Sequence, residues 1–112
     1  MILSIKTAED KEAELEAQAK AKLKATKTYT LNSITVTTTN GNTFDGNETA
    51  RGNMISAILS ADLIGKTEET WKLADNSTAL VTLVELRQAL AIAIIEVGRI
   101  VKCTTIGELY ND

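Results

Sequence analysis

Residues 70–102 read TWKLADNSTALVTLVELRQALAIAIIEVGRIVK and decide the fold. Two short runs, residues 70–74 and 78–81, flank Asp75-Asn76-Ser77, whose side chains favour a turn because they hydrogen-bond to nearby backbone. This pattern predicts a β-hairpin. Thr82-Leu83-Val84-Glu85 then has the form of a capping box, so we expect a long helix to begin there and to fill the rest of the stretch.

The final helix carries more apolar side chains than one side of a small sheet can cover. Its broad apolar face consists of Leu86, Ala89, Leu90, Ala93, Ile94, Val97, Ile100 and Val101. Ile92 and Ile95 lie off the centre of that face, and with Val84 they would be left facing water. Gly98 would let another backbone approach closely. Because exposed apolar patches usually mark interfaces, these four are candidate interface residues.

Upstream of this stretch the sequence predicts another helix over residues 47–64, capped by Asp45 or Asn47 and ended by Gly65. Its apolar stripe contains Ala50, Met54, Ala57, Ile58 and Ala61, widened by Ile55, Leu59 and Leu63. Such a stripe favours packing on a sheet.

A further hairpin is expected before that helix. Residues 29–39 are rich in β-branched side chains, and Asn40-Gly41 is a pair that favours a type I′ turn. Asn42-Thr43-Phe44 would begin the returning strand, which is short.

The N-terminal segment predicts a charged helix from Ala8 to about Thr26, with Thr7 as its cap. Acidic residues fill its first half and lysines its second, an order that complements the helix dipole. Leu15, Ala19 and Leu23 form a thin apolar seam and are further candidate interface residues. A helix with so narrow a stripe is either a solvated arm or part of a bundle with other chains.

Together these elements predict an α+β protein, with an N-terminal helical arm (residues 1–27) and a small domain (residues 28–112). The order within the domain is β-β-α-β-β-α, with one small antiparallel sheet and helices packed on one face. The expected core residues are Met54, Ile58, Trp71, Leu73, Leu86 and Leu90. Trp71 is expected to be mostly buried between the second hairpin and the last helix.

Residue types that serve catalysis and metal binding are scarce. The chain has no His, and a single Cys103 excludes an internal disulfide and a Cys-based zinc site. Residues 40–46 resemble a calcium loop superficially, but Phe44 and Arg51 stand where that loop needs oxygen ligands. We therefore expect no enzymatic activity, no cofactor and no metal.

Charge and hydropathy argue against two classes of binding partner, nucleic acid and membrane. Twelve basic against fifteen acidic residues give a net charge of −3, which argues against nucleic-acid binding. The most apolar window, Ala89–Ile95, is too short to span a bilayer, and no secretory signal is visible. We expect a soluble protein, made in the cytoplasm, that binds neither nucleic acid nor membrane.

Four segments carry a resemblance to a known family: Gly41–Asp45, Met54–Ala57, Trp71–Asp75 and Val81-Thr82 with Glu85-Leu86. Over residues 28–102 the chain resembles a functionally uncharacterised domain at the C-terminal ends of tailed-phage tail and tail-fibre-associated proteins. The Trp-Lys-x-Ala-Asp hairpin before a long apolar helix is the most specific element. The chain departs from the family at Ala50, where a Ser is common. The resemblance implies a virion or assembly context and no catalytic residues.

Two functions remain open from the sequence. The first is a non-catalytic structural or assembly protein of a phage tail or tail fibre, which binds itself and other tail proteins. It would act in the host cytoplasm during assembly and then in the virion tail. The alternative is a small phage-encoded binding or regulatory module that acts on a host or phage protein.

Overall fold

The computed structural model describes residues 8–110. The elements are α1 (Ala8–Asn32), β1 (Thr35–Thr37), β2 (Thr43–Asp45), α2 (Glu48–Ile64), β3 (Glu68–Lys72), β4 (Thr78–Thr82), α3 (Leu83–Lys102) and α4 (Ile106–Leu109). The α+β class and the order α-β-β-α-β-β-α are confirmed, with the one-turn α4 following. Within this part of the chain, no helix combines the length and the apolar character that crossing a membrane requires.

The first helix continues beyond the predicted end, so the strand expected from residue 29 begins only at Thr35. Tyr29–Asn32 are helical although their neighbours are β-branched. Thr26 and Thr30 each donate to the carbonyl oxygen four residues earlier, at 2.8 and 2.7 Å, so their hydroxyls are satisfied within the helix. Leu31 packs against the core. Tertiary packing therefore overrides the local β propensity of this segment.

The four strands form two separate two-stranded antiparallel sheets, not the single sheet that the sequence predicted. In the first, Val36 pairs with Phe44, and in the second Trp71 pairs with Ala79. The two hairpins meet near their loops, where the Ala74 N–H donates to the Thr43 carbonyl oxygen at 3.0 Å. One such bond joins the hairpins without extending either ladder.

Both hairpins turn through three-residue loops, and the two-residue type I′ turn expected at Asn40-Gly41 does not form. In the first loop the Gly41 N–H donates to the Thr38 carbonyl oxygen, and the Thr38 N–H donates to the Asn42 carbonyl oxygen. Gly41 takes the left-handed conformation with φ of 87°. Asn76 has φ of 69° at the equivalent position of the second loop. This geometry, a turn closed by a left-handed residue, is the usual three-residue hairpin loop.

The caps that the sequence predicts for α2 and α3 are present. The Asn47 side chain accepts from the Ala50 N–H at 2.9 Å, and Gly65 ends α2 in the left-handed conformation with φ of 72°. At the start of α3, Thr82 Oγ1 accepts from the Glu85 N–H at 3.1 Å. The cap expected at Thr7 lies outside the described residues.

The core lies where α2 and α3 meet the two hairpins. Of the expected core residues, Met54, Leu73 and Leu86 are buried, whereas Ile58, Leu90 and Trp71 are half-buried and pack against the core. The other buried apolar side chains are Ile34, Val36, Phe44, Ala61, Val81, Leu83, Ala89, Ala93, Ile100, Cys103 and Leu109.

Trp71 is half-buried, whereas the sequence predicted that it would be mostly buried, and it packs against the core. It also borders a recess of about 450 Å³ with Asp45 of β2 and with Ala50 and Asn53 of α2.

Arg99 fastens the C-terminal turn to α3. Its guanidinium donates to the carboxylate of Glu96 and to the carbonyl oxygens of Glu108 and Leu109, the last two at 3.0 Å. Leu109 is buried as a result of this closure. Cys103, between the two helices, is also buried.

Candidate interaction surface

The side of α3 that points away from the core is apolar and exposed. We call this surface the outer face of α3; its residues are Val84, Arg87, Ala91, Ile94, Ile95, Gly98, Val101 and Lys102. Val84 is 74% exposed and Ile95 72%. Two charged residues lie on this face: Arg87, whose guanidinium pairs with Asp62 of α2, and Lys102, which is exposed at its C-terminal end. The other exposed side chains along this line of the helix are apolar.

Three of the four interface residues predicted on this helix lie on that face. Val84 and Ile95 are exposed and Gly98 is half-buried, but Ile92 packs against the core. Conversely, Ile94 and Val101 were assigned to the core side and are exposed. The reason is that α3 packs against α1, α2, β1 and β4 together, so its buried arc differs from the one that a single flat sheet would cover.

The predicted seam of the N-terminal helix is mostly exposed to solvent. Leu15 is 59% exposed and Ala19 is also exposed, whereas Leu23 packs partly against the core. No residue of α1 is buried. The outer part of this seam is therefore exposed, and its inner part anchors the helix to the domain.

A second apolar stripe runs along α2. Ile55, Leu59 and Leu63 were expected to widen the core-facing stripe of this helix, but all three are exposed. Met54 and Ala61 are the buried residues of α2. A 17-residue helix that packs against one other helix and short hairpins buries only a narrow arc, which leaves these residues on the surface.

A buried carboxylate lies at the N-terminal end of α3. Glu85, which is 5% exposed, accepts hydrogen bonds from Thr38 Oγ1 at 2.6 Å, Asn40 Nδ2 at 3.1 Å and Asn42 Nδ2 at 3.0 Å. Burial alone would raise the pKa of this carboxyl, but the three donors together outweigh it and lower the pKa. Sequence reasoning assigned Glu85 to a capping box and missed this role, although the amide-rich Asn40-Gly41-Asn42 loop offered a signal.

This network ties the first hairpin to α3. Gln88, one turn after Glu85, also accepts from the backbone N–H and the hydroxyl of Thr39, at 3.3 and 3.2 Å. Every donor comes from the loop of the first hairpin. The arrangement holds the loop in place, and the Glu85 carboxylate accepts only from neutral donors.

The two hairpin loops border an open recess of about 620 Å³, whose lining includes Asn42 from the first hairpin and Asp75 and Ser77 from the second. The pKa of Asp75 is lowered because its carboxylate accepts from the hydroxyl and the backbone N–H of Ser77. Those bonds close the turn. Across residues 8–110, no group of three or more His, Cys, Asp or Glu is placed to hold a metal ion.

The family described as Domain of unknown function (DUF4376) matches residues 8–98. The chain belongs to this family. Its match begins at Ala8, so the family includes the charged helix α1, which the resemblance had included only by its general character. No curated protein and no solved structure matches the chain.

For this DUF4376 member, the geometry offers an interaction surface and a set of internal polar bonds. At Ala50, where the resemblance pointed to a common Ser, the cap of α2 is supplied by Asn47 instead, so the helix start is satisfied without that hydroxyl. The exposed apolar outer face of α3 is the feature that its own fold does not use.

Proposed function

We propose that this DUF4376 protein is a non-catalytic structural or assembly component of a tailed-phage tail or tail fibre, which acts through protein–protein contacts. The observation that carries the proposal is the outer face of α3. An ordered, mainly apolar face on a chain of 112 residues favours a protein whose exposed surface is covered by a partner.

The polar groups support the same proposal. The carboxylates of Glu85 and Asp75 are held by hydrogen bonds within the chain, and Arg99 is committed to Glu96 and α4. General acid–base chemistry needs a group that reaches a substrate. These groups instead fix loops and helix ends, which suits a scaffold.

The phage context comes from the resemblance of the Trp71–Asp75 hairpin and the apolar helix after it. A tail or fibre component would meet its partners during assembly and stay bound in the particle. The α1 helix, which projects from the domain, would supply a second contact surface to the same partners.

Mass spectrometry of purified phage particles and of tail-assembly intermediates tests the proposal. We expect the chain in one of these fractions, in a constant ratio to a tail protein. Ile95→Lys should reduce this association, because the change places a charge in an apolar contact. Leu80→Lys, which alters an exposed apolar residue of β4, is the matched control.

Absence from both the particles and the assembly intermediates would overturn the proposal. Recovery of a stoichiometric host protein in place of tail proteins would favour the regulatory alternative.

A further inference from the structure

Six residues of the outer face of α3 are spaced three and four residues apart in strict alternation. This set, which we call the α3 seam, comprises Val84, Arg87, Ala91, Ile94, Gly98 and Val101. Such spacing repeats every seven residues and places its members along one line of a helix, as in helices that pair over their whole length. The seam lies opposite the buried residues Ala89, Ala93 and Ile100.

The sequence of large and small side chains along the α3 seam is complementary to the same sequence read in the opposite direction. Reversing the helix about the point between Ile92 and Ala93 brings each position onto another member of the seam. The resulting pairs are Val84 with Val101, Arg87 with Gly98, and Ala91 with Ile94. Two of these pairs match a large side chain with a small one, so the same surface supplies both the projections and the spaces for them.

We propose that a second copy of this chain binds the α3 seam with its own α3 in the antiparallel direction, about a two-fold axis between Ile92 and Ala93. The inference deepens the proposed function and rests on it, since it names the partner of the same face. In a two-fold interface, residue i of one copy contacts residue j of the other and the reverse also holds. The three pairs of the seam meet that condition.

Arg87 is compatible with this pairing. Its guanidinium already bonds Asp62 of its own α2, so the charge needs no partner from the other copy. The aliphatic part of the side chain can lie over Gly98 of the second copy while the charged end stays at the rim. Gly98 is open enough for this, because a Cβ built there meets nothing within 4 Å.

The available area suits a weak dimer. A helix of twenty residues is about 30 Å long, and a face about 10 Å wide covers roughly 300 Å². Ile55 and Leu59 lie seven and three residues before Asp62, the α2 residue that pairs with Arg87, and are 53% and 60% exposed, so they extend the apolar surface. The combined area stays below the standard of about 800 Å² per partner, so a dissociation constant in the micromolar range is expected.

Light scattering or sedimentation from about 1 to 100 µM tests the pairing, a range that brackets an interface of this size. The wild-type mass should rise from 12.1 kDa toward twice that value. Gly98→Leu should stay at 12.1 kDa, because the new side chain fills the space that Arg87 of the other copy occupies. The same change should not lower the melting temperature of the monomer, since the site is open and glycine is a poor helix former.

Two matched variants, each with a new Glu on a different helix, locate the interface. Ala91→Glu should weaken the dimer by at least about a hundredfold, because it buries an unpaired charge, whereas Ala17→Glu on the exposed part of α1 should leave it intact. The reverse result would place the association on α1 and overturn the proposal.

Disulfide trapping tests the direction, in a Cys103→Ser background. A mixture of Val84→Cys and Val101→Cys proteins should form mixed disulfides on oxidation, and neither protein alone should crosslink. Crosslinking of Val84→Cys with itself would indicate parallel helices and overturn the proposal. So would a wild-type protein that remains at 12.1 kDa throughout. Because these readouts use the isolated chain, the pairing and the phage assignment can fail independently.

Discussion

At the scale of the residue, Glu85 is the ionisable group whose surroundings matter most for stability. Its carboxylate is buried among Thr38, Asn40 and Asn42, which lower its pKa against the opposing effect of burial. A lowered folded pKa means that the stabilisation is complete above the ordinary value of 4.5 and is lost as the pH falls through the folded value. The first hairpin should therefore loosen from α3 in acid.

We expect Glu85→Gln to lower the free energy of unfolding at pH 7 by about 1–3 kcal/mol, because one or more buried donors lose their acceptor. The variant should also lose less stability than the wild type between pH 5 and pH 3, as its side chain does not titrate. Urea unfolding at a series of pH values measures both effects. Glu12→Gln, on the exposed part of α1, is the control and should match the wild type. Parallel pH curves for wild type and Glu85→Gln would contradict this account.

Gly46, directly after β2, is packed tightly against Ile34 and α3. A Cβ there would lie 2.8 Å from Ile34 Cγ2 and 3.2 Å from the Ala93 Cβ, both buried side chains. Gly46→Ala should therefore cost about 1–3 kcal/mol, as overpacking does in well-packed cores. Gly52→Ala is the matched control, because a Cβ on this exposed α2 position meets nothing and should add about 0.5–1 kcal/mol. Chemical denaturation of both variants checks the prediction, and equal effects would contradict it.

At the scale of the element, the sequence predicts a helix end or a hairpin correctly where the residues of a single turn determine it. Asn47, Gly65 and Thr82 were read as helix ends because capping depends on residues within one turn, and each cap is present. The second hairpin was found for the same reason, since Asp75 and Ser77 close its loop by bonds between neighbours.

Features that depend on contacts between residues far apart in the chain could not be predicted from the sequence. Whether Ile92 or Ile94 is buried is decided by the positions of β1 and α2 around α3, which periodicity within one helix does not contain. The end of α1 was missed because the packing of Leu31 against the core holds a β-prone segment in the helix. The α3 surface was thus identified as a candidate site, but its exact residues needed the structure.

At the scale of the whole molecule, the shape is that of a small domain with one projecting helix. The molecule measures 76 × 24 × 23 Å, and its radius of gyration of 20.5 Å exceeds the roughly 13 Å of a compact chain of about 100 residues. The domain is held by α2, α3 and the hairpins, whereas α1 contributes Leu23 and Leu31 from its C-terminal half. The folded core is therefore formed by one part of the chain, and the projecting helix by another.

This division predicts that the outer half of α1 can be removed without unfolding the domain. Deletion of residues 1–20 should change the melting temperature by less than about 4 °C, the shift that corresponds to roughly 1 kcal/mol in a domain of this size. The physical reason is that every described residue up to Lys22 is exposed, and an isolated helix of that length is marginal in water. Deletion of residues 1–32 is the control and should lower the melting temperature markedly, because it removes Leu23 and Leu31 from the core. Circular dichroism on the two truncated proteins measures both shifts. A large loss of stability from the shorter deletion would mean that the outer half of α1 supports the fold, and that it is not free to bind a partner.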